Sequence, residues 1–563
     1  MKRSYRLACL SLSRSLLSSH TPLLSNPPSL RSLQYPLNRL IQSLSHDPTP
    51  PSVDSSFEGD ERKTGLDFLK TAELLVKSQE TENIEKALDF GIKALSIFEK
   101  SDGGWSFQVA RSLLLLGKVS FKLKRYSDSL DSLTASIEIF DSLEKGKYSI
   151  SEIGLLVIDV HSQVAKVKNS MGKRWEALVN FKRVVELKVG IFGPDNKEVG
   201  TAYGDLAEAY MFALKYNDAL PLCLKSLEIR ELELGANSLE VAKLRDQLGV
   251  IYTGLGQYTQ ALEQNEIAKS IFDGLNLVNE SVHKEIDIAN LLIMIGQLEE
   301  ATKRLQKAIS NVDKDSELKA FILVSMAKSL FHQQKFGDSK RCLQISLEIL
   351  DKKESTIPKK IAEAYADISM LFETMNEFEI SISLYKRSLS IARLQEEMHH
   401  VEGSILARLG WLLLVTKRVD QAVPYLEMAI ERLEGCFGER HFGLGFAYKH
   451  LGQAYMETDR PEMAVRYLSY SREIIEETFG LSHIDTIDVN QCLANAYGTM
   501  GSYKLAMEFQ QRVVDAWEKR GADATEDLRE AYRLLEQLKK KSEGSPHAVF
   551  PANSLPVMPP PRE

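Results

Sequence analysis

Cysteine is scarce in this chain of 563 residues. Cys9, Cys223, Cys342, Cys436 and Cys492 are scattered, and no two stand at CxxC spacing. That pattern gives neither a disulfide framework nor a cysteine-based zinc cluster. Cys223 reads as a small buried side chain and not as a reactive thiol. Long apolar runs are also missing. Leu113–Leu116 and Leu412–Val415 are among the longest, against the roughly 20 residues that cross a bilayer, so no membrane span is expected. Catalytic motifs are lacking too: there is no P-loop, HExxH or GxSxG. Gly443-Leu-Gly445 has no third glycine of a dinucleotide fingerprint. The expectation is therefore no enzyme, no cofactor and no metal. His399-His400 is expected between helices and in solvent. His441 and His483 are expected to cap loops and not to move protons.

Acidic residues are absent from the first 46 positions, where Lys2, Arg3, Arg6, Arg14, Arg31 and Arg39 supply only positive charge. Serine, leucine and arginine dominate there, which is the composition of an organelle transit peptide. Arginine this early fits a mitochondrion first, a chloroplast second and the cytoplasm third. Setting those six cations aside leaves 64 basic against 78 acidic side chains, a net of about −14. An acidic body of that kind lacks the dense cations that nucleic-acid binding needs. Residues 47–62 read as a linker, and 542–563, with six prolines, as a tail that cannot bury enough surface to order itself.

What is present, between residues 63 and 541, is a repeat. A small or core residue recurs at Leu75, Gly117, Ala165, Ala207, Gly249, Ala289, Ala327, Ser369, Gly410, Gly452 and Ala494, mostly 41 or 42 residues apart. The step from Gly117 to Ala165 is longer, with its extra residues around Glu144–Ser151. A second small residue follows in each copy: Ala87, Ser129, Ala177, Ala219, Ala261, Ala301, Ser339, Ser381, Ala422, Ala464 and Ala506. Small residues on facing helices let two backbones approach closely. One such hairpin leaves an apolar face wet, so copies must stack. Asp195 with Glu198 is placed to cap one first helix. A last helix over 524–541, with Leu528, Tyr532, Leu535 and Leu538 on one side, would close the open end.

The frame Leu206-Ala207, Tyr210, Tyr216, Ala219 returns as Leu248-Gly249, Tyr252, Tyr258, Ala261 and as Leu493-Ala494, Tyr497, Tyr503, Ala506. It resembles the tetratricopeptide (TPR) pattern. The long period and the Phe192-Gly-Pro-Asp195, Phe437-Gly-Glu-Arg-His441 and Phe479-Gly-Leu-Ser-His483 loops are similar to those of kinesin light chains. The resemblance implies an all-α, right-handed superhelical solenoid of about eleven TPR hairpins over 63–523, and a non-catalytic scaffold or assembly factor that holds protein partners in its concave groove. The alternative it implies is a cytosolic adaptor linked to cytoskeleton or vesicle cargo. That family also has an N-terminal coiled coil, in whose place this chain carries its basic segment. Groove-lining first-helix positions fall at Asp205, Glu208, Asp246, Asp287, Glu363 and Asp367, with Glu373 nearby. Lys243 and Lys328 are the cations expected among them. An acidic groove suits a basic partner segment.

Overall fold

The structure is a computed structural model. It describes residues 58–543, apart from Gln79, 147–149, 395–397 and 521–524. The transit-peptide segment, most of the expected linker and the proline-rich tail therefore lie outside the described residues. The helices fall into two compact units, one ending at Ala308 and the other beginning at Ile309. Among the described residues no helix is long and apolar enough to cross a membrane.

In the first unit the hairpins are α1 (Glu58–Leu75) with α2 (Thr81–Asp102), α3 (Phe107–Lys122) with α4 (Tyr126–Gly146), and α5 (Ile150–Ser170) with α6 (Arg174–Phe192). There follow α7 (Lys197–Phe212) with α8 (Tyr216–Leu234), α9 (Leu239–Gly254) with α10 (Tyr258–Gly274), and α11 (Val278–Ile295) with α12 (Leu298–Ile309). The second unit pairs α13 (Glu317–His332) with α14 (Phe336–Lys353), α15 (Pro358–Thr374) with α16 (Phe378–Ala392), and α17 (His399–Val415) with α18 (Val419–Phe437). It ends with α19 (Phe442–Glu457) and α20 (Pro461–Phe479), α21 (Ile484–Thr499) and α22 (Tyr503–Arg520), and the lone α23 (Thr525–Glu543). Helix α1 starts ahead of the expected boundary at residue 63, and α23 runs past 541. The extra residues near Glu144 lie partly in the end of α4.

The small residues do what their spacing predicts. All eleven second-helix markers, from Ala87 to Ala506, are fully buried. A Cβ at Gly117 would sit 2.4 Å from Leu133 Cγ, and one at Gly410 2.6 Å from Leu426 Cγ. Where the second-helix residue is serine and not alanine, its hydroxyl donates across the hairpin: Ser129 to Gly117 O at 2.7 Å, Ser339 to Ala327 O at 2.8 Å, Ser381 to Ser369 O at 2.8 Å. A buried hydroxyl is thereby satisfied by the carbonyl it packs against.

Between the two helices of each hairpin from α3 onward, one residue turns left-handed and the next amide reaches back to the carbonyl five residues before it. Lys215 N donates to Tyr210 O at 2.9 Å, Gln257 N to Tyr252 O at 2.8 Å, and Arg418 N to Leu413 O at 2.8 Å. This is the Schellman ending, which satisfies the last carbonyls of the first helix. Glycine suits the turn at Gly256, but Lys124, Leu214, Gln334 and Lys417 hold it with a side chain, at φ 58°, 59°, 64° and 62°.

The loops between hairpins carry the N-caps. Ser106, Ser238 and Ser316 accept from backbone amides three residues on, and Asn196 from Glu198 N at 2.9 Å. The cap of α7 is thus Asn196 and not Asp195. Asn196 immediately precedes the first helical residue, which puts its side-chain oxygen within reach of the open Glu198 amide. At the equivalent positions His441 Nδ1 accepts from Gly443 N at 3.2 Å and His483 Nδ1 from Asp485 N at 3.3 Å. Each ring stacks on the phenylalanine of its own loop, His441 on Phe437 and His483 on Phe479. Both are caps, as the sequence indicates. His399-His400 differs from expectation: His399 opens α17 and His400 is buried, because the helix starts one turn earlier than the loop reading allows. Gly443 and Gly445 lie inside α19, where Gly445 lets Ile474 and Ile475 of α20 approach. At the end of the second unit, α23 lays Ala531 and Leu535 on the last hairpin, while Tyr532 stays half-exposed and bonds Glu518.

Candidate functional site

First helices place the six candidate carboxylates. In the first unit α7 carries Asp205 and Glu208, α9 carries Asp246, and α11 carries Asp287. In the second unit α15 carries Glu363 and Asp367. Their surroundings divide them into two groups.

Three are committed to holding hairpins together. Lys284 of α11 is buried and bonds Asp246 of the preceding hairpin as well as Asp287 of its own helix, the latter at 2.6 Å. Burial alone would push that ammonium towards neutrality, but the two carboxylates outweigh it and hold it charged. Lys328 of α13 bonds Asp367 of α15 at 2.9 Å. The neighbouring Glu373 is buried, which raises its carboxyl, while Arg408 at 3.3 Å works in the other direction. Glu363 also takes part in an interaction of its own.

Asp205 and Glu208 stand apart. Neither makes an ion pair or side-chain hydrogen bond among the described residues. Asp205 is exposed to solvent, yet surrounding protein raises its carboxyl, against the pull of Lys166, Lys188 and Arg230. Glu208, half-buried one turn further along, is pushed up to about 7 by burial first and by Asp205 second, with Arg174 opposing. Lys243 acts on Glu208 only at longer range. Such a pair offers two acceptors with no internal donor, at a place where a cationic side chain would relieve both desolvation and mutual repulsion. Cys223 of α8 is fully buried against Leu244 of α9, and burial pushes its thiol up to about 12. It is inert packing, as the sequence suggests.

Several charged groups that shape this surface escape a motif-based reading. Lys284 pairs with an acid 38 residues away, Lys328 and Lys449 with acids 39 residues on, and Arg304 with Glu266 at 38. Lys449 is 1% exposed and rests between Asp488, at 2.8 Å, and Asp485. In each case cation and carboxylate sit nearly one repeat apart, so a search for opposite charges at the repeat period would find them.

A family model for the tetratricopeptide repeat matches residues 198–272, which includes α7, α8, α9 and most of α10. Protein KINESIN LIGHT CHAIN-RELATED 1 of Arabidopsis thaliana is 26% identical over 66% of this chain and 63% of its own length. The chain thus matches less than two thirds of that relative. Protein KINESIN LIGHT CHAIN-RELATED 2 of the same plant is 26% identical over 91% of this chain and 77% of its own. A crystal structure of nearly identical kinesin light chain TPR-like repeats from Podosopora anserina covers 37% of this chain and 99% of its own, at 16% identity and a TM-score of 0.33. The chain thus carries tetratricopeptide repeats at residues 198–272 and is similar over most of its length to kinesin light chain-related proteins of Arabidopsis thaliana.

Proposed function

We propose that the protein is a non-catalytic scaffold or assembly factor of an organelle, the mitochondrion first, that holds a basic protein segment on the first-helix surface of its first unit. Asp205 and Glu208 form the centre of that surface, Asp246 and Asp287 its flank; Glu363 and Asp367 offer a lesser acidic surface in the second unit. The observation that carries the reading is that Asp205 and Glu208 have no ion-pair partner among the described residues, beside carboxylates that are paired. Exposed charges of this kind act mainly by steering and are screened by salt.

The test is capture of native partners with the wild-type chain and with Asp205→Lys/Glu208→Lys, across a salt series. Loss of partners in the variant, with unchanged helical content, supports the reading. A full partner set sinks it. Reversing Asp246 or Asp367 is a poorer test, because it also breaks an ion pair between hairpins.

The second reading is a cytosolic adaptor of the kinesin light chain-related kind, favoured by the names of the Arabidopsis relatives. Mass spectrometry of the endogenous N-terminus separates the two: intact Met1–His46 supports the cytosolic reading, and a start after about residue 30 supports import.

A further inference from the structure

Four connections between hairpins share one layout: an apolar residue, a glycine with positive φ, two more residues and the N-cap of the next helix. They run from Phe192 to Asn196 and from Leu234 to Ser238 in the first unit, and from Phe437 to His441 and Phe479 to His483 in the second. In the second unit the capping ring lies on the apolar residue, with centroids 4.2 Å apart at Phe437 and 4.7 Å at Phe479. Phe437 is accordingly only 7% exposed. Asn196 and Ser238 also cap their helices but have no ring to lay down. Phe192 and Leu234 are left 37% and 43% exposed. Leu232, in the last turn of α8, is 85% exposed, and the next connection, from α10 to α11, shows Leu275 and Val278 to solvent. Connections between stacked antiparallel hairpins all lie on one edge. Three successive connections thus line one edge of the first unit with apolar side chains. A lone exposed leucine is ordinary, but a row of them marks an interaction surface.

The unpaired charge along this edge is mainly negative. Glu198, Glu240 and Glu280 hold one position on α7, α9 and α11, eight residues before Leu206, Leu248 and Ile288. Glu198 faces Lys188 at 3.8 Å, while Glu233 and Asp273 are held by Arg230 and Lys269, each at 2.7 Å. Asp195, Glu240 and Glu280 have no ion-pair partner among the described residues, and Lys197 is the exposed cation set against them. The spacing fits a helix. First helices α7 and α9 touch, which sets their connections about 8–10 Å apart. Seven residues of α-helix advance about 10.5 Å. A helix laid along the edge therefore meets one connection with each apolar residue of a seven-residue repeat, and its flanks meet the acids.

We propose that the edge formed by Phe192, Leu232, Leu234, Leu275 and Val278 docks an amphipathic helix of a partner protein whose flanks carry lysine or arginine. This surface is separate from the carboxylates of Asp205 and Glu208, and the inference does not rest on them.

A fluorescent peptide of about 18 residues, with leucines along one helical face and lysines on its flanks, tests it by anisotropy against the full chain. Two control peptides carry glutamate for lysine or serine for leucine. The wild type should bind the first peptide at least about tenfold more tightly than either control. Hydrogen exchange with that peptide bound should slow at residues 192–198, 232–240 and 275–280. Leu232→Ser/Val278→Ser, at exposed positions, should weaken binding about tenfold. Asn196→His/Ser238→His should also weaken it, because each ring covers its loop residue as in the second unit while the cap is kept. Asp205→Lys/Glu208→Lys should leave the protected residues unchanged. Equal binding of the three peptides overturns the proposal, as does protection elsewhere on the chain or binding that neither edge variant alters. Slowed exchange at this edge that grows with protein concentration and no peptide overturns it too, since a second copy is then the cover.

Discussion

The two units use one hairpin design and spend their charges differently. In the second unit, first helices are tied to neighbouring hairpins by Lys328–Asp367, Arg408–Glu373 and the nearly solvent-free Lys449 with Asp488. In the first unit the Lys284 triad does the same at α9 and α11. On α7, however, the carboxylates of Asp205 and Glu208 have no ion-pair partner among the described residues. A surface that is neutralised internally is glue, and one that is not has an unspent capacity to bind.

Lys449→Ala should give the largest effect. It strands the buried Asp485 and the partly buried Asp488, a loss of about 3–5 kcal/mol for a broken buried pair. Denaturant unfolding should show a destabilised second unit. Lys449→Met, which keeps the volume, should also leave the carboxylates unpaired and recover little. If either variant unfolds like the wild type, the ion pair is not glue.

The pH response should differ in sign between the units. His441 and His450 are held near 3 by burial, so the folded second unit keeps them neutral while the unfolded chain protonates them near 6.5. Their stabilising effect is full above about pH 6.5 and is lost as pH falls towards 3, by roughly 2 kcal/mol each at about pH 5. Glu208 works the other way. Its folded value near 7 lies above the ordinary carboxyl range, so stability is full below about 4.5 and falls as pH rises to about 7. Partial exposure limits that loss to about 1–2 kcal/mol. His441→Asn, which keeps a cap, should flatten the acid limb. Glu208→Gln should raise stability at neutral pH while weakening partner capture. Melting curves between pH 4 and 8 check both, and a variant with the wild-type profile sinks its half of the comparison.

Ala261→Leu tests the frame common to both units. Ala261 is fully buried and its carbonyl accepts from Asn265 at 2.9 Å, so added atoms overpack α9 against α10. A cost of about 1–3 kcal/mol is expected, with a melt that broadens or splits because neighbouring repeats couple. The smallest effect should be a gain. Leu214 holds a left-handed turn at φ 59° that glycine adopts without penalty. Leu214→Gly should stabilise the first unit by up to about 1 kcal/mol, visible as a raised midpoint. Any loss would mean that the half-buried Leu214 side chain contributes more by packing than its backbone costs.

Much of this was legible in the sequence because close packing leaves a periodic mark. Ala261, Ala219 and their counterparts had to be small wherever two helices touch, and spacing alone located them. The Schellman turns were not legible, since leucine, lysine and glutamine can be forced into a left-handed turn by the helices on either side. The charge pattern was half legible. Asp205 and Asp246 look alike as letters on a helix, and only the structure shows that Lys284 claims the second and leaves the first. The cap of α7 was misplaced by one residue because Asp195 and Asn196 are both good acceptors and geometry chooses between them.

The loops between hairpins extend that last point. Serine, asparagine and histidine all present an acceptor to the same open amides, at Ser238, Asn196 and His441. The backbone reads one instruction where the alphabet offers three synonyms. Exchanging one for another should cost the shape little, so the geometry of the loop tolerates a change of residue. In such a chain, kinship is better measured by what the atoms offer one another than by which residues are spelled.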